Sequence, residues 1–294
     1  MKPVVVSVTP WTQQRLLRWN LRLEEQTETT EKPLDLQRMT ELSAAQHTEL
    51  TCLIHHRIGP LTRPGGRPAA LGLYRSVALV VALHRHNLTQ DMAGATFDVS
   101  QATVSRRWNL LRPVIAQVLE DFVPTPEHVA GGSTVLVDGF LAPVWDWKEA
   151  TGMYSGKHQD TGFNLQVAAT LSGSVVAVGA EPVPGSRHDA YAYGASGLAD
   201  ALGEVDSIVG DKGYEAHVDL HPAKKPQGGQ LTQQQQDNNT VIESVRAAVE
   251  RVISHLQDWK MLSSRYRAPL GTFGEALGVI VGLYFFTYYH APYE

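Results

Sequence analysis

Thr134-Val135-Leu136-Val137-Asp138-Gly139 is the stretch on which the fold turns. A continuous apolar, β-branched run that ends in an acid reads as a central buried strand, because only a strand covered on both faces dispenses with alternation. Burying an unpaired carboxylate at the end of such a strand costs about several kcal/mol, so a sequence does not place one there idly. The arrangement recurs downstream: Val205 to Val209 is a second short apolar strand, and Gly210-Asp211 ends it. Glycines beside both acids let another group come close to the backbone.

Two such acids on neighbouring strands form a hard-oxygen site suited to Mg²⁺. A loop or helix cap is the alternative for either acid taken alone. Between them, Gly162 to Thr170 and Ser174 to Ala180 flank Leu171-Ser172-Gly173 and read as strand, turn and strand. After Asp211, residues 239–256 have a helical period, with Ile242, Val245, Val249, Val252, Ile253 and Leu256 on the apolar face. Glu250 on that helix is the third acid a two-metal site needs, and Glu243 is its rival. Arg246 one turn earlier and Arg251 beside it place an acid between guanidiniums suited to DNA phosphates. An exposed Arg246–Glu250 ion pair is the plainer alternative. The run Gln233 to Gln236, with Asp237, Asn238 and Asn239, reads as a mobile polar loop. His188-Asp189 reads as a helix start capped by Ser186, with metal ligation as the alternative. Phe273 to Tyr289 is the one long apolar stretch; it holds Glu275 and reads as a buried C-terminal helix, with no membrane partner expected.

Upstream, Pro124, Pro126 and Gly131-Gly132 mark the change from helical to strand-like periodicity, so a boundary belongs there. Thr89 caps a short helix that Phe97 closes, and Ser100 caps a second one. In the second helix Val104, Trp108 and Leu111 share one face, leaving Ala102, Ser105, Arg106 and Asn109 opposite. A short helix, a tight turn and a helix with small, hydroxyl and Arg residues outward form the helix-turn-helix pattern, whose second helix enters the major groove. The DNA-contacting candidates are Gln101, Thr103, Ser105 and Arg106, the last aimed at a base edge, with Arg107 and Arg112 on phosphates. Charge agrees: the whole chain is −5, yet Thr51 to Val118 holds eight Arg against Asp91 and Asp98, a local +6. A basic part joined to an acidic one suits a chain that grips DNA with one half and gathers carboxylates in the other. The lone Cys52 supports neither a disulfide nor a thiolate metal site, and a reducing cytoplasm fits. The expected organisation is a polar arm over 1–45, a helix-turn-helix domain over 46–125 and a carboxylate domain over 131–294.

The ordered blocks Val137-Asp138-Gly139, Trp145-Asp146-Trp147, Tyr154-Ser155-Gly156-Lys157-His158, Gly162-Phe163-Asn164-Leu165-Gln166-Val167, Pro184-Gly185-Ser186-Arg187-His188-Asp189, Gly210-Asp211-Lys212-Gly213-Tyr214, and Arg246 to Arg251 followed by Trp259-Lys260 resemble the DDE transposases of the bacterial insertion-sequence-five type, within the DDE endonuclease superfamily. The likeness spans about residues 45 to 265. It implies an α/β, ribonuclease-H-like fold with a mixed sheet of order 3-2-1-4-5 flanked by helices, preceded by the all-α helix-turn-helix domain. It implies Asp138, Asp211 and Glu250 as the catalytic and metal-binding triad, with two Mg²⁺ ions or Mn²⁺ in their place, and Lys260 on a terminal phosphate. The activity implied is cleavage at the element's terminal inverted repeats and joining of the 3′-hydroxyl to target DNA. Double-stranded DNA is then the partner, a homodimer or larger assembly the working form, and the bacterial nucleoid the place. A DNA-binding regulator with an inactive endonuclease domain, or a metal-dependent nuclease that cannot join strands, are the competing expectations.

Overall fold

The computed structural model describes residues 34–61, 69–145 and 150–289. The arm up to residue 33, Arg63 and Arg67 of the basic stretch, and Asp146 and Trp147 lie outside the described residues. The chain forms two compact units, one gathering the described residues up to 83 with 88–118, the other 84–87 with 119 onward.

Helices α1 (Leu36–Thr40), α2 (Ala44–Ile58), α3 (Leu73–His86), α4 (Gln90–Phe97) and α5 (Gln101–Glu120) build the first unit. Ser43 and Gln46 close a reciprocal capping box on α2. The α4–α5 turn forms as its sequence dictates. The Thr89 hydroxyl accepts the Met92 amide at 3.2 Å, Asp98 ends α4 in the left-handed region at φ 55°, and Ser100 accepts the Thr103 amide at 3.3 Å. Gly94 makes that turn tight: a Cβ there would stand 2.7 Å from the Val99 carbonyl oxygen. Val104, Trp108, Leu111 and Ile115 are buried.

In the second unit, α6 (Pro126–Ala130) leads into β1 (Thr134–Pro143), β2 (Tyr154–Ser155), β3 (Asp160–Thr170), β4 (Val175–Val178) and β5 (Val183–Pro184). Then come α7 (Asp189–Ala195), α8 (Leu198–Ala201), β6 (Ser207–Val209), a 3₁₀ turn at Lys212–Tyr214, α9 (Gln233–Gln257), α10 (Lys260–Ser263) and α11 (Phe273–Tyr289). The sheet is mixed. β1 and β3 pair antiparallel with Asp138 opposite Val167 and Gly139 opposite Gln166, and β6 joins the free edge of β1 in parallel, Leu136 opposite Val209. β2, β5 and β4 share the other edge of β3, all antiparallel. The long strands therefore run β4-β3-β1-β6, the 3-2-1-4 portion of the ribonuclease-H-like order. The fifth position is reduced to a parallel bridge between Val209 and Leu220, held by the Gly210 amide on the Leu220 carbonyl at 3.0 Å. The parallel crossover carries α7 and α8, which cover one face. There Val135, Val137, Ala168 and Val176 pack with Tyr193, Leu198, Leu202 and Tyr214. α9 packs against β1 and β3 through Val249, Val252 and Leu256.

Two expectations change. The Gln233–Gln236 run is no loop; it is the first turn of α9, which spans 25 residues from a capping box made by Thr232 and Gln235. Gln is a good helix former, and with the box satisfying the first amides the polar run needs no apolar face to stay helical. The strand at Val205 also shortens to Ser207–Val209, because only those residues find partners on β1. The C-terminal helix is as read: Leu270–Tyr288 is long and apolar enough to cross a bilayer, but Phe273, Val279, Ile280, Leu283 and Phe286 lie wholly buried within the protein.

Candidate active site

Topology brings the first two acids together. β1 and β6 are parallel neighbours, and Asp138 and Asp211 each stand just past their last paired residues, Leu136 and Val209. Strand alternation then separates two directions at this point. The Asp138 side chain faces α9, where Oδ2 accepts from Arg246 at 2.9 Å, with the two side chains only 13% and 15% exposed. Its Oδ1 accepts the Gly139 amide at 2.8 Å. Position 139 points to the opposite face, where a Cβ would stand 2.5 Å from Nε2 of Gln166 and 3.1 Å from an oxygen of Asp189. Glycine is required there because other side chains fill the space.

Burial pushes the Asp138 carboxyl above its ordinary value; Arg246 and the Gly139 amide oppose that, and the negative charge of Asp211 adds to it. Asp211 itself uses Oδ1 to accept the Gly213 amide at 2.6 Å, starting the 3₁₀ turn. That turn swings Tyr214 into the core, wholly buried, where its hydroxyl donates to Oε1 of Gln166 at 2.6 Å. Nε2 of Gln166 donates to Oδ1 of Asn164 at 2.8 Å, and Nδ2 of Asn164 donates to Oδ1 of Asp189 at 2.9 Å and to the Arg187 carbonyl at 3.1 Å. A buried amide relay thus runs from the core to one carboxylate. The other oxygen of Asp189 accepts from Lys157 at 2.9 Å. Burial works against the Lys157 charge, yet its bond to Asp189 and the fields of Asp189, Asp211 and Asp138 outweigh this and hold the ammonium above its usual range. Burial, then the same three acids, raise Tyr214 well above the ordinary phenol value. Lys157, Asn164 and Asp189 also line a cleft of about 190 Å³ with Ser155, His158 and Arg187.

The remaining sequence candidates are placed unequally. Glu250 and Glu243 are both exposed on α9, and Arg246 pairs with Asp138 rather than with Glu250. Arg251 is exposed beside the β3–β4 turn, its Nη1 3.0 Å from where a Gly173 Cβ would sit, and Lys260 is exposed at the start of α10. In the first unit Gln101 and Arg106 are exposed and Ser105 is half-buried. Three others turn inward, contrary to a DNA-facing role. Thr103 is buried against Ser100, Arg107 donates to the Leu71 carbonyl at 3.2 Å, and Arg112 is 6% exposed over the Trp108 ring. The long Arg stems cover apolar surface on the core side of the helix. Asp189 is the residue the sequence reading passed over as a helix start. It does open α7, but His188 provides the cap position without a side-chain bond and Ser186 bonds the Gly152 carbonyl instead. Its burial partners lie on β3 and the β2–β3 turn, far away in sequence.

The donor chemistry fits a divalent cation: carboxylate oxygens, one of them desolvated and repelled by its neighbour, gain most from a hard positive charge. As the side chains stand, Arg246 and Lys157 hold the carboxylates, and among the described residues no three His, Cys, Asp or Glu side chains converge as a metal cage.

The chain is similar in sequence to known proteins. The chain is 28% identical over 235 residues to a protein named as transposase for insertion sequence element IS112 from Streptomyces albus G, covering 80% of this chain and 88% of that one. It is 24% identical over 233 residues to one named as transposase for insertion sequence element IS702 from Microchaete diplosiphon, covering 76% and 83%. A crystal structure of a pre-cleavage Mos1 transpososome aligns over 97% of this chain and 86% of its own at 13% identity, but a TM-score of 0.22 carries no argument about fold. The profile of the DDE superfamily endonucleases matches residues 137–284, beginning one residue before Asp138 and taking in the sheet, Asp211 and all of α9. With half its length matched, and with the two acids of that match just past the last paired residues of adjacent parallel strands, this chain belongs to the DDE superfamily endonucleases.

Proposed function

We propose that the protein is a transposase that binds the terminal inverted repeats of its own insertion sequence, cuts DNA at those ends and joins the freed 3′-hydroxyl to target DNA. The observation that carries the reading is the placement of Asp138 on β1 and of Asp211 just past the end of its parallel neighbour β6, with Asp138 desolvated and repelled by Asp211 in a way that a cation relieves. Asp138, Asp211 and, from α9, Glu250 are the proposed ligands of two Mg²⁺ ions, for which Mn²⁺ substitutes. Bound there, the ions supply activation of the attacking oxygen and stabilisation of the leaving one.

The chain's own residues do the rest. Arg246 neutralises Asp138 and presents a guanidinium beside the acids, with further donors for a phosphate oxygen. Arg251 and Lys260 extend the cationic line along α9 and α10. α5 supplies DNA recognition through Gln101, Ser105 and Arg106, in a homodimer or larger assembly on the bacterial nucleoid.

The test is a nicking and strand-transfer assay on DNA carrying the element's ends, with Mg²⁺ or Mn²⁺. Asp138→Asn and Asp211→Asn abolish both steps while band-shift binding persists. Glu250→Gln does the same and Glu243→Gln does not; the reverse result moves the third ligand to Glu243. Binding without nicking in the wild type would make the protein a regulator. Nicking without joining of a precut 3′-end would make it a simple nuclease.

A further inference from the structure

We infer that the cleft between the β2–β3 turn and the β5–α7 loop is a second DNA-holding surface of the protein, with Arg187 as the cation that takes a backbone phosphate. This rests on the reading of the protein as a DNA-binding transposase, and it adds to α5 a grip on the strand within the second unit.

The lining has the charge for it. Gly156, Lys157 and His158 come from the β2–β3 turn, and Arg187, His188 and Asp189 from the β5–α7 loop. Asp189 is the one carboxylate among them, and both its oxygens are taken, by Lys157 at 2.9 Å and Asn164 at 2.9 Å. Lys157 and Asp189 cancel, so Arg187 sets the sign of the cleft. Its guanidinium stands 5.0 Å over the ring of the exposed Tyr191, and among the described residues no carboxylate or other acceptor takes its N–H groups. An aromatic ring steadies a guanidinium without using up its donors. His158 and His188 are exposed at the same cleft, and a neutral imidazole still offers one N–H.

The wall that carries Arg187 is fixed in advance. The Gly185 amide donates to the Gly162 carbonyl at 2.8 Å, the Arg187 amide to the Pro184 carbonyl at 3.0 Å, and Asn164 donates to the Arg187 carbonyl at 3.1 Å. The Ser186 hydroxyl ties the loop to the Gly152 carbonyl ahead of β2. A cation on so constrained a loop loses little freedom when a ligand arrives.

The opposite wall leaves space. A Cβ on Gly156 would meet nothing within 4 Å, and its backbone is not left-handed. Neither packing nor conformation calls for glycine there, and bare backbone at a cleft lets an outside group come close. The cleft lies on the sheet face opposite the one Asp138 turns to, so it stands apart from the acids' own pairing with α9. The fields of Asp211 and Asp138 nevertheless reach Lys157 at its edge. A phosphate held there belongs to a strand that passes the acids.

Fluorescence anisotropy with the full chain in a chelator, over about 50 to 200 mM salt, tests the inference. The probes are a labelled duplex carrying the element's end and one of unrelated sequence. Arg187→Gln weakens binding to both by the same factor, about threefold or more, and lowers the salt slope by about 1. Arg187→Glu weakens both further, and Arg187→Lys keeps the slope. The side chain is exposed, so the variants fold. A merely structural Arg187–Tyr191 pair predicts an unchanged slope. Unchanged affinity and slope in Arg187→Gln overturns the inference, as does a loss confined to the end duplex, which is the mark of a base contact. Arg106→Ala separates the two levels, since recognition by α5 predicts a larger loss on the end duplex than on the unrelated one. If Arg106→Ala behaves so and Arg187→Gln changes nothing, only the cleft's role fails. If the wild type binds neither duplex, the DNA-binding reading fails and the inference with it.

Discussion

Replacing Arg246 with Met should destabilise the metal-free protein, and the loss should depend on pH in a way only the Asp138 pair explains. At 2.9 Å the gross attraction is about 6 kcal/mol with an effective dielectric constant near 20. The loss is smaller, because a stranded carboxylate can take a proton. Holding Asp138 neutral, against its ordinary value of 3.8, costs about 4 kcal/mol at pH 7 but about 2 kcal/mol at pH 5.5. Wild type already bears part of this, since burial raises the group despite Arg246, so the expected difference at pH 7 is about 2 to 3 kcal/mol. The sign follows from a folded value above the unfolded one: the cost is absent below 3.8 and grows as pH rises toward the folded value. Urea unfolding in a chelator, followed by tryptophan fluorescence at pH 5.5 and 7, measures it. Asp138→Asn in the Arg246→Met background should restore much of the stability at pH 7. A loss that is the same at both pH values, or no recovery in the double variant, would refute the argument.

Three further outcomes are expected. Tyr214→Phe strands the wholly buried Gln166 Oε1 and should cost about 1 to 3 kcal/mol in denaturant unfolding; a change within a few tenths of a kcal/mol would mean the relay is not strained by its loss. Gly139→Ala sets a methyl 2.5 Å from Gln166 Nε2, in a side chain with no room to retreat, and should lower stability by about 1 to 3 kcal/mol and abolish nicking; a folded, active variant would contradict the packing. His47 is buried, which lowers its pKa to about 4 despite the bond from its ring to the Tyr74 carbonyl. Because its folded value lies below the unfolded 6.5, the cost is absent above 6.5 and builds to about 3 kcal/mol as pH falls to 4. His47→Gln, which can still donate to Tyr74, should flatten that pH dependence in unfolding monitored through the first unit.

The sequence by itself determined the elements whose signals are local. The apolar run into Asp138 is a strand because only burial on both faces tolerates such a run, and Thr89, Phe97 and Ser100 bound α4 and α5 because caps act within three or four residues. It also singled out Asp138 and Asp211, since an acid at the end of an apolar strand needs a reason wherever the strand lies. What only the tertiary structure decided depends on separations no period encodes. Arg246 meets Asp138 across 108 residues instead of Glu250 across four, because the helix presents that face to the sheet and a buried carboxylate needs a cationic partner to offset its desolvation. Arg107 and Arg112 turned inward because their stems had apolar surface to cover. Asp189 looked like an ordinary first-turn acid; Asn164 and Lys157, 25 and 32 residues away, tie it to the sheet. Local sequence specifies a residue's conformation, whereas its charge environment is set by whatever the fold packs against it.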